Sequence, residues 1–282
     1  MRGYFPFVDG TFVGDVSSLS LSILRISSMY RIATCALAAL VASTASASLM
    51  AGSVAIVGFQ ASGAPTDSIA FAALVDLAPG TVLYFTDNGW TGTGFRGVSG
   101  TDSDGNENLM KYTVGANGLA AGSIISSLSI NANAGMWTLS GLVGTGTSAF
   151  AQLSLSSTGD QVTVFTSTNT ANPMFDGYTS LWNFDNTGAY ESATSSSTGS
   201  LAPGLGFGSA TLVSGGQNYA VFNFAAFTSG TAEEWAARFS DAANWITSTA
   251  TTSTADGSFS VVPAPGAIAL LGVAGLASRR RR

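Results

Sequence analysis

Apolar residues fall along this chain in short runs of strand length, separated by turn residues. Ser53 to Phe59, Ile69 to Val75 and Thr81 to Thr86 are nearly continuous apolar segments, the pattern of strands covered on both faces. Ala151 to Leu155, Gln161 to Val164 and Ser127 to Ile130 alternate instead, which predicts one face in a core and the other in water. Leu109 to Val114, Met136 to Leu139, Tyr178 to Phe184, Tyr219 to Phe224 and Ser258 to Val262 complete the predicted strands. Between them stand Pro79-Gly80, Asp87-Asn88-Gly89, Gly159-Asp160 and Gly215-Gly216, turn signals because asparagine, aspartate and glycine tolerate positive φ. The pattern predicts an all-β fold: one antiparallel, β-sandwich-like domain.

A single short helix toward the C-terminus interrupts it. Thr231-Ala232-Glu233-Glu234 has the form of a capping box, with Thr231 as N-cap and Glu234 three residues on. Trp235, Phe239 and Ala242 then repeat at helical spacing toward a core. Two glutamates in a first turn suit the helix dipole, so their expected role is to start the helix. Ser192 to Ser200 is expected to be a surface loop, and the Ser/Thr-rich stretch within 247–261 a spacer behind a β-rich domain over 48–246.

The ends differ from this body. From Met29 a basic start at Arg31 leads into an apolar run, Ile32 to Val41, and then into Ala45-Ser46-Ala47. That order predicts a signal peptide over 29–47, read by signal peptidase at Ala45 and Ala47 and cut after Ala47. Its apolar part spans only ~15 Å as a helix, about half of a ~30 Å bilayer core. Cys35 would leave with it. Residues 1–28 do not resemble the start of a signal and are expected to be either a start called too early or an extended leading region.

At the C-terminal end Val262-Pro263-Ala264-Pro265 precedes an apolar run, Gly266 to Ala277, and four arginines, Arg279, Arg280, Arg281 and Arg282. Prolines stop the preceding element, the apolar run halts in a membrane, and the arginines stay on the cytoplasmic side. The run spans only ~18 Å as a helix, which suits a transient hold. This three-part tail, residues 262–282, resembles the PEP-CTERM sorting signal of bacteria that carry an exosortase, with alanine where that family has glutamate. The resemblance implies an exosortase-like processing enzyme as partner, a temporary stay at the inner membrane, and delivery to the cell surface or extracellular matrix, where an exopolysaccharide is a candidate partner. The segment Ser53 to Trp90, with Ser157 to Gln161 and Asn244-Trp245, also looks like a β-rich domain of exported bacterial multidomain proteins. That likeness implies a fold and transfers no catalytic residue.

Composition narrows the chemistry. The 282 residues include no histidine and one cysteine, which excludes histidine relays, His-ligated zinc and intrachain disulfides. Between Ser48 and Gly257 fourteen acidic residues face three basic ones, Arg96, Lys111 and Arg238, a net of −11. A field of that sign repels phosphate backbones, so nucleic acid is not an expected partner.

Gly92-x-Gly94-x-x-Gly97 matches a dinucleotide fingerprint by letter, but no helix pattern follows it. Asp102, Asp104, Asn106, Glu107 and Asn108 are the densest set of oxygen ligands and a candidate calcium site, although the glycine position departs from an EF-hand. Trp90, Phe95, Trp137, Trp182 and Trp245 are candidates for a sugar-stacking surface. No catalytic residue is assigned, and no cofactor is expected beyond that calcium. A carboxylate hydrolase needs two acids facing one cleft, a spacing no linear pattern here shows. The expected function is that of an exported, non-enzymatic surface or matrix protein, with a secreted glycan- or calcium-binding module as the alternative.

Overall fold

A computed structural model describes residues 48–61, 67–96, 109–127, 135–139, 153–192, 194–195, 197–250 and 257–264. All belong to the unit of the chain that begins at Ser48. The expected signal peptide with Ala45 and Ala47, the candidate calcium loop Asp102, Asp104, Asn106, Glu107 and Asn108, and Pro265 with Arg279 to Arg282 lie outside the described residues. Among the described residues no helix is long and apolar enough to cross a membrane.

Two sheets make up the body. One has five strands in the spatial order β12 (Trp245–Ser248), β10 (Tyr219–Phe222), β1 (Val54–Gln60), β2 (Ser68–Ala73) and β5 (Ile124–Ser126). The other has six: β6 (Gly135–Leu139), β4 (Leu109–Val114), β3 (Val82–Thr86), β7 (Gln161–Ser167), β8 (Tyr178–Asp185) and β9 (Ala210–Leu212). Pairing is antiparallel except for β8 with β9, and for the short pair β11 (Ser229–Gly230) with β13 (Ser260–Val261). The fold is thus the expected all-β, mainly antiparallel arrangement, with parallel neighbours at these two places. Both follow long returns of the chain, which parallel neighbours require.

Aromatic side chains bridge the sheets. Phe59 of β1 stacks on Phe184 of β8 at 5.1 Å between centroids, and Phe71 of β2 meets Phe85 of β3 and Tyr112 of β4 at 5.3 and 5.2 Å. The continuous apolar runs behave as expected: β1 and β2 are buried along nearly their whole length. Helix α1 (Ala232–Ser240) starts on its capping box, with the Thr231 hydroxyl accepting from Glu234 N–H at 3.2 Å and Glu234 Oε2 accepting from Thr231 N–H at 2.9 Å. Its inner face is Trp235, Ala236 and Phe239. Ala242, expected on that face, is exposed in a 3₁₀ turn beyond the helix end, where the Asp241 carboxylate accepts from Ala243 N–H at 3.0 Å and redirects the chain.

The six-stranded sheet is covered on both faces. Away from the sandwich core, Tyr84 and Phe165 lie under a loop carrying Trp90 and Phe95, with Phe95 at 5.1 Å from Phe165 and Trp90 at 5.6 Å from Tyr178. Further along the same face a polar row runs across three strands in register, Thr86, Thr163 and Asn183, with Gln161 opposite Asp185 beyond it. All five are buried. The alternation over Gln161 to Val164 therefore marks a polar face, but the expectation that water covers it is corrected: the loops cover it.

Two more expectations are revised. Trp90, Phe95, Trp182 and Trp245 are buried and Trp137 is half-buried against the core, so they form no sugar-stacking surface. Their indole N–H groups explain part of this, since Trp182 donates to Thr211 Oγ1, Trp245 to Phe239 O and Trp137 to Ser126 O. The stretch 247–261 is not simply a spacer. Its start lies in β12 and its end in β13, and Phe259 is buried between Phe224 and Trp235. Of the strand expected at Ser127 to Ile130, only Ser127 lies within the described residues, in the turn after β5; 128–130 lie outside them.

Candidate functional site

Ala151 to Leu155 was expected to be a strand with one wet face. Leu153 and Leu155 are buried and Ser154 is exposed, as the alternation requires, yet residues 153–155 belong to neither sheet. Their main-chain donors are taken by side chains. Ser154 N–H donates to Asp87 Oδ2 at 2.6 Å, Leu155 N–H to Asp67 Oδ2 at 3.0 Å, and Ser156 N–H to Asp160 Oδ2 at 2.7 Å. The three aspartates are almost completely buried. Each stands at a strand end: before β2, after β3 and before β7. Burying a carboxylate is costly unless it is hydrogen-bonded, and a charge-assisted bond is about twice as strong as a neutral one. The three aspartates thus replace a neighbouring strand for residues 153–156.

The polar row continues from this strap. Asn88 donates from its backbone and from Nδ2 to Thr86 Oγ1, at 3.1 and 2.8 Å, and Asn183 Nδ2 donates to Thr163 Oγ1 at 2.9 Å. Gln161 Nε2 donates to Asp87 O. Asp185 closes the row. Its Oδ1 accepts from the N–H and hydroxyl of Thr187 at 2.7 and 2.6 Å, while Oδ2 is buried without a hydrogen-bond partner. Burial pushes the Asp185 carboxyl up to about 6, the Thr187 bonds pull against that, and Glu191 adds to it. Tyr190 beside it is raised as well, by burial first and then by Asp185, and its hydroxyl donates to Thr211 O at 3.0 Å. Among the described residues no group of three or more His, Cys, Asp or Glu side chains is placed to hold a metal ion.

The second candidate region is the end of the described chain, residues 257–264. Parallel pairing of β13 with β11 is fixed from both sides: Ser260 N–H donates to Thr228 O at 3.0 Å, Val262 N–H donates to Gly230 O at 2.8 Å, and Trp235 Nε1 donates to Ser260 O at 2.9 Å. Arg238 secures β11 from the helix. Its Nη1 donates to Ser229 O at 2.8 Å, and its guanidinium sits 4.8 Å from the ring centres of Phe227 and Trp235, a cation–π arrangement. Beyond the Val262 bond, Val262, Pro263 and Ala264 are exposed. They form one wall of an open cavity of about 310 Å³ that also includes Asp76, Ala232 and Glu233. A second cavity, about 420 Å³, shares Ala232 and Glu233 and is lined by Met50, Val75, Phe207 and Ala236 among others.

Of the residues singled out in the sequence, Val262, Pro263 and Ala264 are thus together and exposed, whereas the tryptophans are dispersed through the core. Gly92 and Gly94 lie in a turn closed by Thr91 N–H donating to Gly94 O at 2.9 Å, with Trp90 bridged to Phe95 across it. Gly92 and Gly94 thus serve a hairpin turn; Gly97 lies outside the described residues. The aspartate strap was not foreseen. Its one sequence signal is three isolated aspartates at strand ends in a chain with only 9% charged residues. Compared with protein-family models, with curated proteins and with solved structures, the chain matches none.

Proposed function

We propose that this chain is an exported, non-enzymatic protein of the cell surface or extracellular matrix, handed over by a C-terminal sorting signal that begins at Val262. The observation that supports it most directly is the exposure of Val262, Pro263 and Ala264. Val262 makes the last main-chain hydrogen bond among the described residues, and Val262, Pro263 and Ala264 are exposed immediately after it. A processing enzyme needs an accessible, extended segment beside a body it need not unfold, and these residues supply one. The apolar run Gly266 to Ala277 and Arg279 to Arg282 follow without a long linker, an order suited to a membrane hold with the arginines inside. The net charge of −11 between Ser48 and Gly257 suits a body that stays clear of nucleic acid and anionic lipid.

The test is fractionation of the native host making the full chain or a version ending at Val261. The full chain is expected at the surface or in the matrix and the shortened one in a different fraction. An unchanged distribution overturns the proposal.

A further inference from the structure

Large apolar side chains are exposed at few places among the described residues: Met50, Phe175, Phe207, Ile246 and Val262. Three of these five, Met50, Phe207 and Val262, line the two cavities that meet at Ala232 and Glu233, beside the point where the tail leaves. Phe207 is the extreme case at 87% exposed. It is not loose. Gly206 N–H donates to Ser209 Oγ at 2.9 Å, Ser209 N–H to Gly206 O at 2.9 Å, and Gly208 N–H to Ser240 Oγ at 3.0 Å. Gly208 takes φ +83° with open space around it, a conformation that glycine adopts without strain. A turn braced at three points therefore holds one phenyl ring out into solvent, where it contributes nothing to the core.

We infer that Met50, Phe207 and Val262 form a docking edge for the surface of a zwitterionic bilayer, occupied while the tail is held in the membrane. The inference rests on the sorting reading above and specifies what the body does during that hold. The argument is one of reach. Pro265 alone separates Ala264 from the apolar run at Gly266, and two residues of extended chain cover at most ~7 Å. Headgroups add only about 5–8 Å on each side of the hydrocarbon. With Gly266 at the hydrocarbon boundary, Ala264 and the smaller cavity it lines stand at headgroup depth, and the larger cavity with Met50 and Phe207 adjoins it at Ala232 and Glu233, so that apolar side chains on an otherwise polar surface are placed to insert. Asp76 and Glu233, both exposed at the same edge, select against anionic headgroups and in favour of neutral ones.

The experiment uses the full chain with Cys35→Ser and Ala237→Cys, carrying an environment-sensitive fluorophore in the larger cavity, and vesicles of phosphatidylcholine and phosphatidylethanolamine. Insertion of the tail is read separately, as resistance to alkaline carbonate extraction. With the tail inserted, emission is expected to shift to the blue and to be quenched by a lipid-borne quencher, and Met50→Ser with Phe207→Ser should abolish both changes. Three results overturn the inference: an inserted tail with emission still characteristic of water, a blue shift that survives the double substitution, or a blue shift without vesicles, which means that another part of the chain fills the cavity. Failure of the tail to insert is a different outcome, and it removes the sorting reading itself.

Discussion

Asp185 provides a pH dependence of opposite sign to that of an ordinary surface carboxylate. Burial pushes its carboxyl up to about 6 in the fold, against 3.8 for a free aspartate, and one of its oxygens is buried without a hydrogen-bond partner. In the unfolded chain it releases its proton near the lower value. Between the two values the folded state binds a proton that the unfolded state does not, so raising the pH weakens the fold. The stabilisation is fully present below the unfolded value and is lost as pH rises through about 6. A difference of about two units corresponds to ~3 kcal/mol, or roughly 6–12 °C in Tm for a domain of this size. Asp185→Asn isolates this contribution. The amide keeps an oxygen for the Thr187 donors and places an NH₂ group where Oδ2 lies, an offset of ~1–3 kcal/mol that does not vary with pH. Urea melts of wild type and variant at intervals from about pH 4 to pH 7.5 should therefore diverge, with wild type losing about 3 kcal/mol relative to the variant as pH rises. Parallel curves across that range would refute the assignment, because the other carboxylates contribute equally to both proteins.

Asp67→Ala leaves the buried Leu155 N–H without its acceptor and should cost ~2–3 kcal/mol in a denaturant melt, whereas Asp67→Asn, which keeps an oxygen there, should cost less than half as much; equal losses would mean that Asp67 acts through its charge alone. Gly122 has φ +91°, and a Cβ there would lie 2.8 Å from Phe259 O, so Gly122→Ala should loosen β13 and speed proteolytic removal of the tail, while Gly80→Ala, at a similar φ with open space around it, should leave that cleavage rate unchanged.

The strands that could be found in the sequence are those whose side chains alone determine their surroundings. Val54 to Phe59 and Ile69 to Ala73 are apolar on both sides, and only burial on both sides accommodates them. The capping box was readable because Thr231 and Glu234 act over three residues, within the reach of local sequence. Ala242 was misplaced for the complementary reason: the periodicity continues to it, but Asp241 ends the helix by accepting from Ala243 N–H, a local competition that hydrophobic spacing does not register. The tryptophans proposed for stacking were misjudged because their indole N–H groups find partners elsewhere in the chain, as Trp182 does at Thr211 and Trp137 at Ser126. Once that donor is satisfied, the ring is simply the largest available piece of core.

The polar face of the six-stranded sheet shows where alternation stops being informative. Gln161-Val162-Thr163-Val164 establishes that the two faces of β7 differ in polarity, and nothing in that pattern says what meets the polar one. Two different coverings are possible physically, water or a layer with complementary hydrogen bonds, and they demand the same residue types on the strand. The difference lies in residues distant in sequence. Asn183 supplies Thr163 with a donor from β8, Asp87 supplies Gln161 with an acceptor from the turn after β3, and Gly199 lets the covering loop pack on the turn at Gly89 and Trp90, where a Cβ would lie 3.1 Å from Gly89 Cα and 3.2 Å from Trp90 N. The aspartate strap follows the same rule at the sheet's end. A carboxylate beside a strand terminus looks solvated from its neighbours alone, but Asp67, Asp87 and Asp160 are claimed by the main chain of 154–156, up to 88 residues away. In an acidic body with so few charges, buried carboxylates are the ones with an assigned donor, and those donors are set by tertiary contact.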